Sequence, residues 1–520
     1  MAFQLNAFEA SRFLERATFG VKQEDVAKLL EMGVEEWLNN QFLMTANSHD
    51  ERGEFQRSHR RNGRWSPTVR VSAWFDLALW GKDQLRQRMA FALSQILVVS
   101  ERDENLADEP KALAQYYDLL VDHAFGHYAD LLYAVSRSPV MGTFLTHLGN
   151  RSFDSTGVLP DQNYARELMQ LFTTGDFSLD EYGKVIKDQQ GRPVENYDEE
   201  QVAELARVFT GWEMNNNSFF EPMVNNEAHH DRKEKTLHGV ILPAEQDADL
   251  ELKQVINILV NHPSTSPFIA KFLINRFVSS NPSPEYIFRV AAVFRRSNGH
   301  LGETLKALLM DEEAFKAKNT GNIKYKEPLL RLTYFFRALN AYTGLSNRDN
   351  QSPEPMFYSS TSKFLSYQDG FNQTPLGAPS VFNFFSPEFS PEGPLQESQL
   401  VSPELELMEW VDIAENNHVL HEALTYYNDT VKQGDGTSGY RQDEKTYVVV
   451  SPYYDAVTDK GLEAMLDLVA VTLLNGKMSS VLRDNLTSLY QSSLLESDNK
   501  SAVNNVILMT FLSAEFSIQG

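Results

Sequence analysis

Apolar residues recur at three- and four-residue intervals through most of this 520-residue chain. That spacing commits it to helices packed along one apolar face. Ala7–Phe42 reads as three short helices with Phe13, Leu14, Ala17, Val26, Leu29 and Leu30 turned inward and Gly20 and Gly33 as breaks. Gln84–Val99 reads as a long central buried helix, and Lys111–Leu145 as two or three more, broken near Gly126 and Ser138-Pro139. Asp161–Thr174 carries a cap-type residue at its start and Gly175 where a left-handed terminator belongs. Lys184–Val194 predicts a small β-hairpin around Gln190-Gly191. Helix returns over Asp198–Trp212, Leu252–Phe315, Lys326–Tyr342 and parts of the C-terminal third, near Pro403–Tyr427, Leu462–Asn475 and Val503–Ser513.

Two stretches escape the pattern. Residues 214–243 form a polar segment rich in Asn and His, and a loop of that length inside a folded domain suggests a function. Residues 345–397 are rich in Pro, Ser and Phe and read as an irregular wrap over the core. With no internal repeat, low-complexity tract or flexible linker, the expectation is one large multi-helical domain over 1–520, mainly α, with a small β-hairpin and long irregular loops.

Charge narrows the partners. Seventy-one acidic residues against 47 basic ones leave −24 at pH 7, a field that repels nucleic-acid phosphates and anionic lipid. The chain contains no cysteine, which excludes disulfides, thiolate nucleophiles and Cys-ligated metals and agrees with export into an oxidising space. No apolar run approaches the roughly 20 residues that span a bilayer. The first residues have no basic or apolar leader character, so a secretory signal either was never there or has been trimmed.

The polar residues that carry chemistry gather between His147 and Lys235. Asn163, Glu167, Gln170 and Thr174 fall on one stripe of the Asp161–Thr174 helix, with Arg166 beside Glu167. A carboxylate, a guanidinium and amides at that spacing suit acid–base work or a charged, hydroxylated ligand. The same residues also suit the wet face of an ordinary amphipathic helix. His147 and Asn150 stand just upstream. Downstream, His229, His230, Asp231 and His238 lie within ten residues and are potential ligands for a divalent metal, although the spacing matches no zinc signature. Serine-hydrolase, P-loop and dinucleotide-binding motifs are absent from the sequence.

Several blocks taken together resemble a bacterial family catalogued as domain of unknown function 1800. They are Ala10–Gly20 (ASRFLERATFG), Leu85–Gln95, Met141–Asn150, Asn163–Thr173, Ala206–Trp212, the His230-Asp231 to Lys235 loop, His262–Ile269, Ser280–Pro284, Ala378–Pro387 and Ser513–Gln519. The likeness spans nearly the whole chain. It departs at Asp161-Gln162-Asn163, where the family pattern has an acid at the middle position. The resemblance implies an exported or periplasmic protein that works on extracellular or envelope polysaccharide and accompanies a sulfatase-like partner. It also gathers the polar blocks into one expected site. Glu167, Arg166, His147, His230 and Asp231 are its catalytic candidates, and Asn150, Asn163, Gln170 and Lys235 its substrate-binding candidates. Glu167, His230 and Asp231 are the candidate ligands of a divalent metal. Two functions follow as expectations: a hydrolase-like, glycan-active enzyme, or a non-catalytic polysaccharide-binding or assembly protein with Tyr426-Tyr427 and Tyr453-Tyr454 as stacking residues.

Overall fold

Helices start where the sequence supplies an oxygen for the free amides of the first turn. In a computed structural model that describes residues 5–58, 63–315, 324–343, 372–408, 424 and 446–519, Ser66, Asp198, Asp247, Ser283, Ser479 and Asp498 each cap a helix through the side chain. Such a cap contributes about 1 kcal/mol. Proline occupies the first turn after Ser66, Glu109, Ser138, Ser283 and Glu327, where its missing N–H costs nothing. The result is a mainly α architecture whose strands are short antiparallel pairs.

The three N-terminal helices are Ala7–Ala17, Gln23–Met32 and Val34–Leu43, as the spacing predicts. The segments between residues 110 and 144 also break at the expected places. The long helix expected over 84–99 instead stops at Leu93. Beyond it the chain turns tightly, with Gln95 and Ile96 amides donating to Ala92 and Leu93 carbonyls. Ile96-Leu97-Val98-Val99 is branched and apolar, so it is buried outside a helix as well as inside one.

Residues 214–243 are more ordered than expected. Trp212–Glu213 pairs with Val224–Asn225, and Lys235–Leu237 pairs with Val240–Leu242. The hairpin predicted over 184–194 is a ribbon held by isolated bridges, Leu179 to Val185 and Lys187 to Pro193, around a turn closed by Gly191 N–H donating to the Asp188 carbonyl. The described part of the 345–397 wrap, from 372 onward, is turns with one short helix, Pro394–Glu397.

Chain ends meet in the core. Lys324–Tyr325 pairs with Ile518–Gln519, Lys326 forms a 2.7 Å ion pair with Glu15, and Arg337 donates to the Gly20 carbonyl at 2.8 Å. A Cβ on Gly20 would come within 2.4 Å of the Tyr334 Cα, so this crossing needs glycine. Buried apolar side chains from Ala10 to Phe516 belong to one contiguous cluster.

Candidate functional site

The helix that carries Glu167 is shorter than its sequence pattern. It runs Asn163–Gln170, because Asp161 Oδ1 takes the Asn163 amide while the other end unwinds. At that end Thr173 and Thr174 hydroxyls donate to Leu168 and Met169 carbonyls, and Gly175 (φ 72°) turns the chain as predicted. The turn brings Asp176 back against the polar stripe. Its carboxylate accepts from Gln170 Nε2 at 3.0 Å and from the Tyr197 hydroxyl at 2.6 Å.

Glu167 lies beneath this surface, 6% exposed, with Oε2 buried and without a hydrogen-bond partner. Burial pushes its carboxyl above the usual range; neighbouring Arg166 opposes the shift and Asp176 adds to it. A carboxyl held this way keeps its proton to higher pH than a free one, as a general acid must. Arg166 forms a two-pronged pair with Glu199 at 2.9 and 2.8 Å, on the surface. Arg166→Ala should therefore change unfolding free energy by less than about 1 kcal/mol in urea titrations; a larger loss would give this pair a structural weight that its exposure denies it. Asn163 is exposed at the helix start.

His147 is placed elsewhere, in the core. It is 1% exposed and stacked on Tyr164 at 3.9 Å between ring centroids, with the Phe209 ring edge-on. Its Nε2–H donates to the Ser136 carbonyl at 2.9 Å, and burial lowers its pKa to about 4. That ring is a neutral packing element beneath Tyr164. Asn150 is a clasp: its side chain exchanges two 3.0 Å hydrogen bonds with the Asp161 backbone.

The third block forms a separate, buried cluster. Lys235, 2% exposed, forms a 2.7 Å ion pair with Glu251, and His230 Nε2 lies 3.2 Å from the other oxygen of the same carboxylate. His230 Nδ1 donates to the Thr210 carbonyl at 2.9 Å. Asp231 is engaged by Arg207 through two 3.0 Å bonds. Burial pushes its carboxyl up, but Arg207, the Lys233 amide and the Lys235 charge together outweigh this and hold it below the usual range. These residues fasten the 214–243 segment to the helices Glu199–Val208 and Ala248–Val260.

The predicted site thus divides. Arg166 and Gln170 share one surface with Asn163 at the helix start, and Glu167 is buried beneath it. His147 supports that surface from beneath. His230, Asp231 and Lys235 sit in the other cluster, where Arg207 holds Asp231, Glu251 holds Lys235 and His230 Nε2 faces Glu251 without a hydrogen bond. Glu167, His230 and Asp231 do not assemble as a ligand set, and among the described residues no group of three or more His, Asp or Glu is placed to hold a metal ion.

Two residues in these clusters escape a reading of the sequence. Asp176 stands one place beyond the terminating glycine, outside the helix period. Glu251 sits among Ala248, Leu252, Val255 and Ile256 on the buried face of its helix, and a charge at that position was its signal. Of the aromatic pairs, Tyr453 is buried with its hydroxyl on Thr472, Tyr454 bonds Asn504, and Tyr426-Tyr427 lie outside the described residues. Among the described residues, no helix is long and apolar enough to cross a membrane.

No curated protein and no solved structure matches this chain. A family described as "Protein of unknown function (DUF1800)" matches residues 12–518, in agreement with the ten sequence blocks, and the chain belongs to that family.

Proposed function

We propose that this protein is an exported enzyme that acts on an extracellular polysaccharide or a similar polyhydroxylated polymer, with Glu167 as its acid–base group. The carrying observation is the Glu167 carboxyl, buried, raised in pKa and unpartnered at Oε2, beside a second carboxylate. A two-carboxylate mechanism needs a second acid, and we assign that role to Asp176 rather than to Asp231, whose oxygens are held by Arg207, or to Asp161, whose Oδ1 takes the Asn163 amide. Gln170, Arg166 and Asn163 lie around this pair and supply donors for hydroxyl or anionic groups of a polymer. Lys235 is withdrawn from that role by its pairing with Glu251. The absence of cysteine agrees with an extracytoplasmic setting, and a sulfatase-like partner fits a polymer that carries sulfate.

Glu167→Gln tests the reading. On a panel of neutral, uronate-containing and sulfated polysaccharides, the wild-type protein should release oligosaccharide or reducing ends. The variant should lose on the order of 10²-fold or more in kcat while retaining binding, the span expected for one acid–base group. Equal turnover by both proteins would remove Glu167 from the chemistry, and binding without turnover by the wild type would replace the enzyme with a polysaccharide-binding protein. A second readout checks the electrostatics. A carboxyl whose folded pKa is raised destabilises the native state once pH exceeds its unfolded value, so the Gln variant should be the more stable protein at pH 7 and lose that advantage toward pH 4.

A further inference from the structure

A cavity of 440 Å3 opens between the helix Thr265–Phe277 and the turn through Val381–Pro387. Its size falls within the roughly 300–1,000 Å3 of small-molecule sites. Phe268, Phe272, Phe382 and Phe385 give it aromatic walls. Two buried polar side chains in the lining have unused bonding capacity. Arg276 is 4% exposed, lies between Phe272 and Phe385 with 5.0 and 4.6 Å to the ring centroids, and its Nε has no hydrogen-bond partner. No hydrogen bond or ion pair engages its guanidinium among the described residues. Asn383, 6% exposed and at φ 70°, keeps Oδ1 buried and unpartnered.

Behind Arg276 the charges do not balance. Arg88 and Lys324 are buried with it, and so are the carboxylates of Glu327 and Glu404. Lys324 pairs with Glu404, and Glu327 accepts from the amides of Gln95 and Gln373. Among the described residues, three cations therefore share two carboxylates. A buried surplus charge is costly unless a counter-charge completes it. Glu406 also lines the cavity, but its carboxylate takes the Ser386 amide, and the carboxylates acting on Arg276 are Glu327 and Glu404.

We infer that this cavity binds an organic carboxylate with a ring-shaped apolar body, the carboxylate meeting Arg276 and a ligand hydroxyl or N–H meeting Asn383 Oδ1. The guanidinium fork can donate two parallel bonds to a carboxylate, and the flanking Phe272 and Phe385 rings already hold it in place. Aromatic walls on several sides of the cavity ask for a ring, which an inorganic anion lacks. The site is independent of the Glu167 chemistry: its charged group comes from a different helix, and the proposal survives if Glu167 proves inert.

Titration calorimetry with the full chain tests it, using 4-hydroxyphenylacetate, glucuronate, sulfate and phosphate as probes. The expected result is saturable binding of 4-hydroxyphenylacetate, weakened at least tenfold in Arg276→Gln. Asn383→Asp keeps the size of the side chain and the turn, and places in the cavity a negative charge that repels the ligand carboxylate and competes with it for Arg276. It should abolish binding even if the Arg276 variant fails to fold. Phe382→Ala, at an exposed wall position, should weaken it several-fold. Binding of sulfate or phosphate alone, binding of glucuronate alone, no carboxylate binding up to about 10 mM, or affinity unchanged in Asn383→Asp would each overturn the proposal.

Discussion

Glu251→Ala is expected to cost about 3–5 kcal/mol of unfolding free energy, because it strands Lys235 in the core. The ammonium is 2% exposed and its carboxylate partner lies at 2.7 Å, while the remaining donors point to the Asp231 and Lys233 carbonyls. Those carbonyls do not neutralise a charge. Lys235→Met should cost a similar amount by stranding Glu251, whereas Lys235→Met combined with Glu251→Leu should recover much of the loss, since an apolar pair of similar volume needs no counter-charge. Urea titrations of the two single variants and the double variant decide the matter. Single variants within about 1 kcal/mol of wild type would mean that the cluster is hydrated and only loosely formed.

Acid should weaken the protein through His147. Its folded pKa is lowered to about 4, against 6.5 when free. The folded state therefore disfavours the protonated ring. Stability from the neutral ring is full above pH 6.5 and falls as pH drops through 6.5 toward 4, by roughly 3 kcal/mol at the limit. His147→Gln retains an N–H for the Ser136 carbonyl and cannot titrate, so it should flatten that part of the pH–stability curve. An unchanged slope between pH 6.5 and 4 would assign the acid sensitivity to other groups. If Tyr164 must stay stacked to hold the helix of Glu167, polymer turnover should fade over the same interval.

Helical periodicity made most of the described elements legible, since a repeating apolar face is a local property of the sequence. Ends were less legible where two paths bury the same residues. Ile96–Val99 is apolar enough to continue a helix or to leave it, and tertiary packing chose a turn at Ile96 and Leu97. In the 214–243 segment, strands only two or three residues long carry too little alternation to be seen. The candidate site divides along the same line. Glu167, Gln170 and Arg166 are neighbours because one helix dictates it. The expected joining of His147, His230 and Asp231 to them needed knowledge of which side chains were already partnered. His230 and Asp231 are polar, close in sequence and committed to Glu251 and Arg207. Conversely, Arg276 and Glu251 sat in plain view as charges on apolar helix faces, a pattern that marks buried electrostatics better than a run of histidines does.

The pairing of Lys324–Tyr325 with Ile518–Gln519 also sets an order on how the molecule is made. Glu15 waits for Lys326, the Lys326 ammonium also donates to the Phe516 carbonyl, and Gln519 donates to the Phe277 carbonyl. A nascent chain that has left the ribosome only as far as residue 300 holds its first helix without the partners that satisfy it. Contacts so distant in sequence slow assembly, because the intervening chain must be ordered before they form. The first helix can pack on Gln23–Met32 early, but its buried Glu15 carboxylate stays without its counter-charge until Lys326 has been made and folded into place.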